Sequence, residues 1–126
     1  MSCINRVRWG LTIIPLFFIG PLAAEVLQPQ QIWKRHLIQE FSQDLCQPRG
    51  YMQRCLNLSQ AQCRGIAERK LNLCLQQLPI PPQVNALAEG VELSFRAGVC
   101  AGKRIERELK SKTSQTPQCQ EVEPWL

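Results

Sequence analysis

The sequence is poor in the groups that usually mark an enzyme. It has one histidine, one tyrosine and two methionines, and aromatic residues make up 6% of its 126 positions. No GxSxG is present, so the usual nucleophile turn of a hydrolase is missing. No glycine-rich phosphate loop and no acidic calcium loop occurs. No CxxC occurs either, which removes the usual thiol-exchange motif, the haem-attachment motif and the short-spaced zinc site. β-branched residues are few, and no stretch alternates polar and apolar residues long enough to read as a sheet strand. Glutamine, leucine, arginine and alanine are plentiful instead. The expected fold class is all-α: a small three-helix bundle cross-linked by disulfides, with an irregular C-terminal tail.

The first residues, MSCINRVRWGLTIIPLFFIGPLAAE, carry Arg6 and Arg8 and no acid before Glu25. Leu11 to Gly20 is an apolar run interrupted by Pro15, and Ala23-Ala24 follow Pro21 and Leu22. Positive start, short apolar run and small residues form the pattern of an export leader. A membrane span needs roughly 20 apolar residues free of helix breakers, and this run is shorter and contains proline. Cleavage after Ala24 is expected, leaving 25–126 as a single domain of about 100 residues. An uncleaved anchor is the competing reading, because Leu22 is bulky for a position so near the cut.

Removal of such a leader also resolves the cysteine count. Seven cysteines are awkward for a disulfide protein, but Cys3 would leave with the leader. Cys46, Cys55, Cys63, Cys74, Cys100 and Cys119 remain, an even set in a short exported chain, which reads as a disulfide framework. Periplasmic or extracellular residence follows as the expectation. Loss of Arg6 and Arg8 lowers the net charge from +5 to +3. That excess is too small to suggest a nucleic-acid partner.

Three helices are expected along the mature chain. The first runs from about Pro29 to Leu45, with proline suited to the first turn. Trp33, Leu37, Ile38, Phe41 and Leu45 fall on one side of it. Gln47 to Leu58 reads as a connecting loop that carries Cys55. The second helix begins at Ser59, whose spacing to Gln62 is that of a capping box, with Leu58 placed as a staple. Asn57-Leu58-Ser59 also fits a glycosylation acceptor, but capping is the stronger reason for Ser59. Pro79-Ile80-Pro81-Pro82 ends that helix. The third covers roughly Gln83 to Lys110, with Val84, Leu87, Ala88, Val91, Phe95, Val99, Ile105 and Leu109 as its core stripe. Gly98 and Gly102 on that stripe suggest close approach of another backbone, or a bend. The tail from Thr113 to Leu126 is expected to be tied down by Cys119.

Cys63 and Cys74 cannot pair if the second helix is continuous. Eleven residues of helix rise roughly 16 Å, whereas bonded cysteines need Cα atoms within about 7 Å. Each should therefore anchor a different neighbour. A hairpin of the second and third helices turning at Pro81 would set Cys63 level with Cys100, which nominates that pair.

Candidate sites are few. His36 lies one turn before Glu40, but two ligands make a poor metal site, and a helix-border histidine needs no special role. Lys103, Arg104, Arg107 and Lys110 gather on the last turns of the third helix and could meet an acidic partner, anionic lipid or glycan. A helix dipole also favours bases there. Trp125 near the end of the tail is a possible docking residue. No metal and no cofactor is called for. The expected function is non-catalytic binding by an exported protein, as an envelope-assembly accessory or a secreted effector, with another protein or an envelope component as partner. The alternative is a small secreted hydrolase or toxin-like enzyme that would have to use His36.

Overall fold

The chain folds around a central helix that touches both of its long neighbours. In the computed structural model, residues 27–112, 114 and 116–121 are described, so the leader lies outside the described residues. The elements are β1 (Leu27–Pro29), α1 (Gln30–Leu45), α2 (Tyr51–Leu56), α3 (Gln60–Gln76), β2 (Gln83–Asn85), α4 (Glu89–Leu109) and α5 (Pro117–Gln120). A single 3-10 turn, Lys110–Lys112, follows α4. The all-α disulfide-linked bundle is present, with α1 and α4 packed on α3.

Each boundary has a local cause. Ser59 Oγ accepts from the Gln62 N–H at 3.1 Å, and Gln62 Oε1 accepts from the Ser59 N–H at 3.0 Å, so the capping box forms and starts α3. Leu58 packs onto the lower core beside it. Asn57 closes α2 at φ 52°, a left-handed cap that asparagine tolerates better than most residues. The expected loop from Gln47 to Leu58 thus contains a helix. Three buried side chains, Met52, Cys55 and Leu56, give its one and a half turns a reason to form.

The third helix begins later than expected. Gln83–Asn85 is a strand, antiparallel to Leu27–Pro29 with Gln28 opposite Val84. Three-residue strands are too short to show alternation, which hid this ribbon in the sequence. Gln30 reinforces it, its side chain donating to the Ile80 carbonyl at 2.7 Å and its N–H to Pro82 O at 2.9 Å. The turn into α4 is tied by Asn85, whose N–H donates to Glu89 Oε1 and whose Oδ1 accepts from Leu87 N.

Two apolar clusters fill the interior. The upper one joins Trp33, Leu71, Cys74, Leu75, Val84, Leu93, Ala97 and Ala101, with Leu37, Ile38 and Phe41 against it. The lower one joins Cys46, Met52, Leu56, Cys63, Ile66, Ala67, Ile105 and Leu109. Helix α3 contributes to both. Its Cys63 and Cys74 each anchor one cluster, and they are not bonded to each other.

The pairs are Cys46–Cys63, Cys55–Cys119 and Cys74–Cys100, with Cα atoms 5.7, 5.5 and 6.0 Å apart. The expected Cys63–Cys100 bond is therefore incorrect. The hairpin does not turn at Pro81, because β2 and the turn into α4 use up the chain as far as Ala88. Residues of α4 consequently meet α3 about twelve positions nearer its C-terminal end than the turn at Pro81 would place them, Cys100 lying level with Cys74 rather than with Gln62. Lys70 pairs with Glu108, and Arg104 Nη2 reaches Gln77 Oε1 at 3.3 Å, in the same shifted register.

The expected core stripe of α4 is also overturned. Val84, Ile105 and Leu109 are buried, but Leu87, Val91, Phe95 and Val99 are exposed, as is Ala88. The face turned inward carries Leu93 together with Gly90, Ala97 and Ala101, small residues that let α3 and Trp33 come close. A methyl group at Gly90 would lie 2.9 Å from the Asn85 carbonyl oxygen and 3.1 Å from Trp33 Nε1. No backbone approaches Gly98 or Gly102, and α4 runs through both without a break. With that face inward, Cys100 stands at its border and reaches Cys74.

Candidate functional site

The lower end of the bundle contains a half-open cavity of about 550 Å³. Leu45 from the end of α1, Tyr51, Met52 and Leu56 from α2, and Ile105 and Leu109 from α4 give it apolar walls. Cys119 and its neighbours on α5 close one side. This volume is in the range of small-molecule pockets. Gly102 stands at its edge, where a side chain would project into open space.

The wall formed by α5 exists because of one disulfide. Cys55 on α2 holds Cys119 across a separation of 64 residues. The Ser114 N–H donates to Cys55 O at 2.8 Å, and Gln120 Nε2 donates to Ser114 O at 2.8 Å, so the returning chain is strapped against α2. The tail is tied down by Cys119, as its sequence suggests. Trp125 lies outside the described residues.

Lys103, Arg107 and Lys110 line a shallow depression beside the cavity together with Glu106. Glu106 and Lys110 line both hollows, so the basic side chains form a rim to the apolar one. Arg104 does not join them. It faces α3, half-buried, with its guanidinium on Gln77. Arg107 folds back so that its Nε donates to the Lys103 carbonyl at 3.3 Å. The rim thus alternates in charge, with one acid among three bases.

His36 and Glu40 are both exposed on α1. Among the described residues, no three His, Cys, Asp or Glu side chains converge on a common point. Of the carboxylates described, Glu108 is held below its usual range, mainly by the hydrogen bond from Lys70 and also by that charge and those of Arg69 and Lys112. Its partner explains why Lys70 can sit near the apolar face of α3: the ammonium leaves the core for Glu108 while its stem packs.

The cavity walls were not legible as a site. Tyr51, Met52 and Leu56 fell in a presumed loop, and Leu45 read as ordinary core. Only the cysteine in that segment signalled that it is held against something.

Among the described residues, no helix is long and apolar enough to cross a membrane. No protein-family model, no curated protein and no solved structure matches this chain.

Proposed function

We propose that this is an exported, non-catalytic binding protein whose lower cavity receives an apolar side chain from an acidic segment of a partner protein. The observation that carries the reading is the apolar hollow bordered by Lys103, Arg107 and Lys110. Tyr51 offers a rigid amphipathic surface and Met52 an adaptable one, both suited to a peptide side chain. Glu106 among the bases favours a peptide, with its own donors and acceptors, over a uniformly anionic lipid surface. Three intramolecular disulfides fit an oxidising compartment, in line with an N-terminal leader cut after Ala24.

Selection of displayed random peptides against the immobilised, oxidised chain 25–126 tests the site. Enrichment of an aromatic or aliphatic residue flanked by Asp or Glu is expected. That enrichment should vanish for the Arg107→Glu, Lys110→Glu double variant. No enrichment, or enrichment indifferent to the rim charges, would overturn the reading. The same selection on a chain shortened to residue 121 asks whether its own acidic, Trp125-bearing end competes. Recovery of stronger binding would mean that it does, and would support the same chemistry at the cavity. Intact mass of exported material should start at Glu25, and a chain retaining Met1 would contradict the leader.

A further inference from the structure

The exposed side of α4 needs an explanation of its own. Leu87, Val91, Phe95 and Val99 are 77%, 59%, 70% and 40% exposed, respectively. Val91, Phe95 and Val99 follow one another along α4 at intervals of four, Leu87 stands in the turn just before it, and none of the four belongs to either apolar cluster. Together they leave on the order of 400 Å² of apolar surface in water, a patch of the size that marks a contact surface on a monomer.

We propose that this face is where two copies of the chain pair, α4 against α4, antiparallel about a two-fold axis. Phe95, Gly98, Val99 and Gly102 stand at i, i+3, i+4 and i+7, the four corners of a hole for one side chain of a facing helix. Two of the corners have no side chain. A methyl group at Gly102 would meet nothing within 4 Å, and one at Gly98 would meet only the edge of Phe41 at 4.0 Å. The hole is therefore deep enough for an aromatic ring. Phe95 of the second copy fills it, and the two-fold axis repeats the same contact in reverse.

Charge selects the antiparallel direction. With Phe95 of one copy centred over the hole of the other, residue numbers at equal height sum to about 194. Glu92 then lies within about one residue of the height of Lys103 in the second copy. At about 100° per residue both project to the same flank of the ridge, roughly 60–80° from Phe95. Like flanks face each other in an antiparallel pair, so Glu92 meets Lys103 twice. A parallel pair would instead bring opposite flanks together at equal height, leaving Glu92 against Val91 and Ser94 with no base to meet. The four apolar residues from both copies supply on the order of 800 Å², and the flanking charges bring the contact towards the ~1,200 Å² lower limit of specific interfaces. The pair should therefore dissociate on dilution.

This contact shares with the cavity the α4 edge at Gly102 and the rim residue Lys103. Sedimentation velocity of the oxidised chain 25–126 over a wide concentration range tests it. The expected result is a reversible monomer–dimer equilibrium. Phe95→Glu should shift it to monomer while leaving helical circular dichroism and melting unchanged, since Phe95 supports no core contact. Glu92→Lys should weaken the dimer at least several-fold, and adding Lys103→Glu should restore it. A wild-type chain that stays monomeric at the highest concentration overturns the proposal, as does a dimer that survives Phe95→Glu. Failure of the charge swap to restore association overturns the antiparallel arrangement.

Discussion

Cys74 on α3 is bonded to Cys100 on α4, with their Cα atoms 6.0 Å apart, and this bond sets the register of the two longest helices. It clamps the upper cluster, while Cys46–Cys63 clamps the end of α1 to the start of α3 in the lower one. Non-reducing digestion should therefore yield three cross-linked species corresponding to Cys46–Cys63, Cys55–Cys119 and Cys74–Cys100. A peptide joining Cys63 to Cys74 would require α3 to be broken.

Reduction should destabilise the protein strongly. The bonds close loops with separations of 17, 26 and 64 residues. Each such closure is worth about 2–4 kcal/mol through restriction of the unfolded chain. In a domain of about 100 residues, 1 kcal/mol moves the melting temperature by roughly 4–8 °C. Thermal melts with and without reductant should differ by tens of degrees, and coincident melts would contradict the framework.

The Cys55–Cys119 bond should matter more to the cavity than to the bundle. It holds α5 on α2, whereas α1, α3 and α4 are joined by the other two bonds and by the core. Replacing both cysteines by alanine should preserve most of the helical signal. Amide exchange should rise at 114 and 116–121 and in α2, and peptide selection by the cavity should weaken. Global unfolding of this double variant would show that α5 is part of the cooperative core.

The glycines of α4 should respond in opposite directions to alanine. Helix propensity alone favours each Gly→Ala change by about 1 kcal/mol. At Gly102 the new methyl meets nothing within 4 Å, so the full benefit is expected. At Gly90 it collides with the Asn85 carbonyl oxygen and presses on Trp33, and backbone cannot move as a flexible side-chain end does. Gly90→Ala should therefore destabilise, despite its better propensity. Denaturant midpoints would read both signs.

Glu108 predicts a small acid-limb effect. Its folded pKa is depressed by Lys70, so it contributes stability above the ordinary carboxylate range and loses that contribution as pH falls through its folded value. The side chain is 42% accessible, so solvent screens the pair and the effect is modest. Glu108→Gln should lower stability slightly near neutrality and make little difference at strongly acidic pH. A variant that is equally destabilised at both would place the role of Glu108 in packing rather than charge.

Several features were legible without coordinates because their causes are local. Ser59 and Gln62 cap α3 through atoms three residues apart, and Pro79 prevents the helix from continuing. Helical rise alone separates Cys63 from Cys74. An even set of cysteines downstream of the leader pattern announced a disulfide framework. The tertiary structure decided which face of α4 turns inward, because α4 carries two apolar faces and burial went to the one with small residues. Gly90, Ala97 and Ala101 admit the close approach of α3 and Trp33 that Phe95 and Val99 would block. It also decided the partner of Cys100, since the path of residues 77–88 depends on pairing with Leu27–Pro29, more than fifty positions earlier. The helix at Tyr51–Leu56 belongs with these. Six residues are too few to hold a helix by propensity, and it forms because Met52, Cys55 and Leu56 have distant surfaces to bury against.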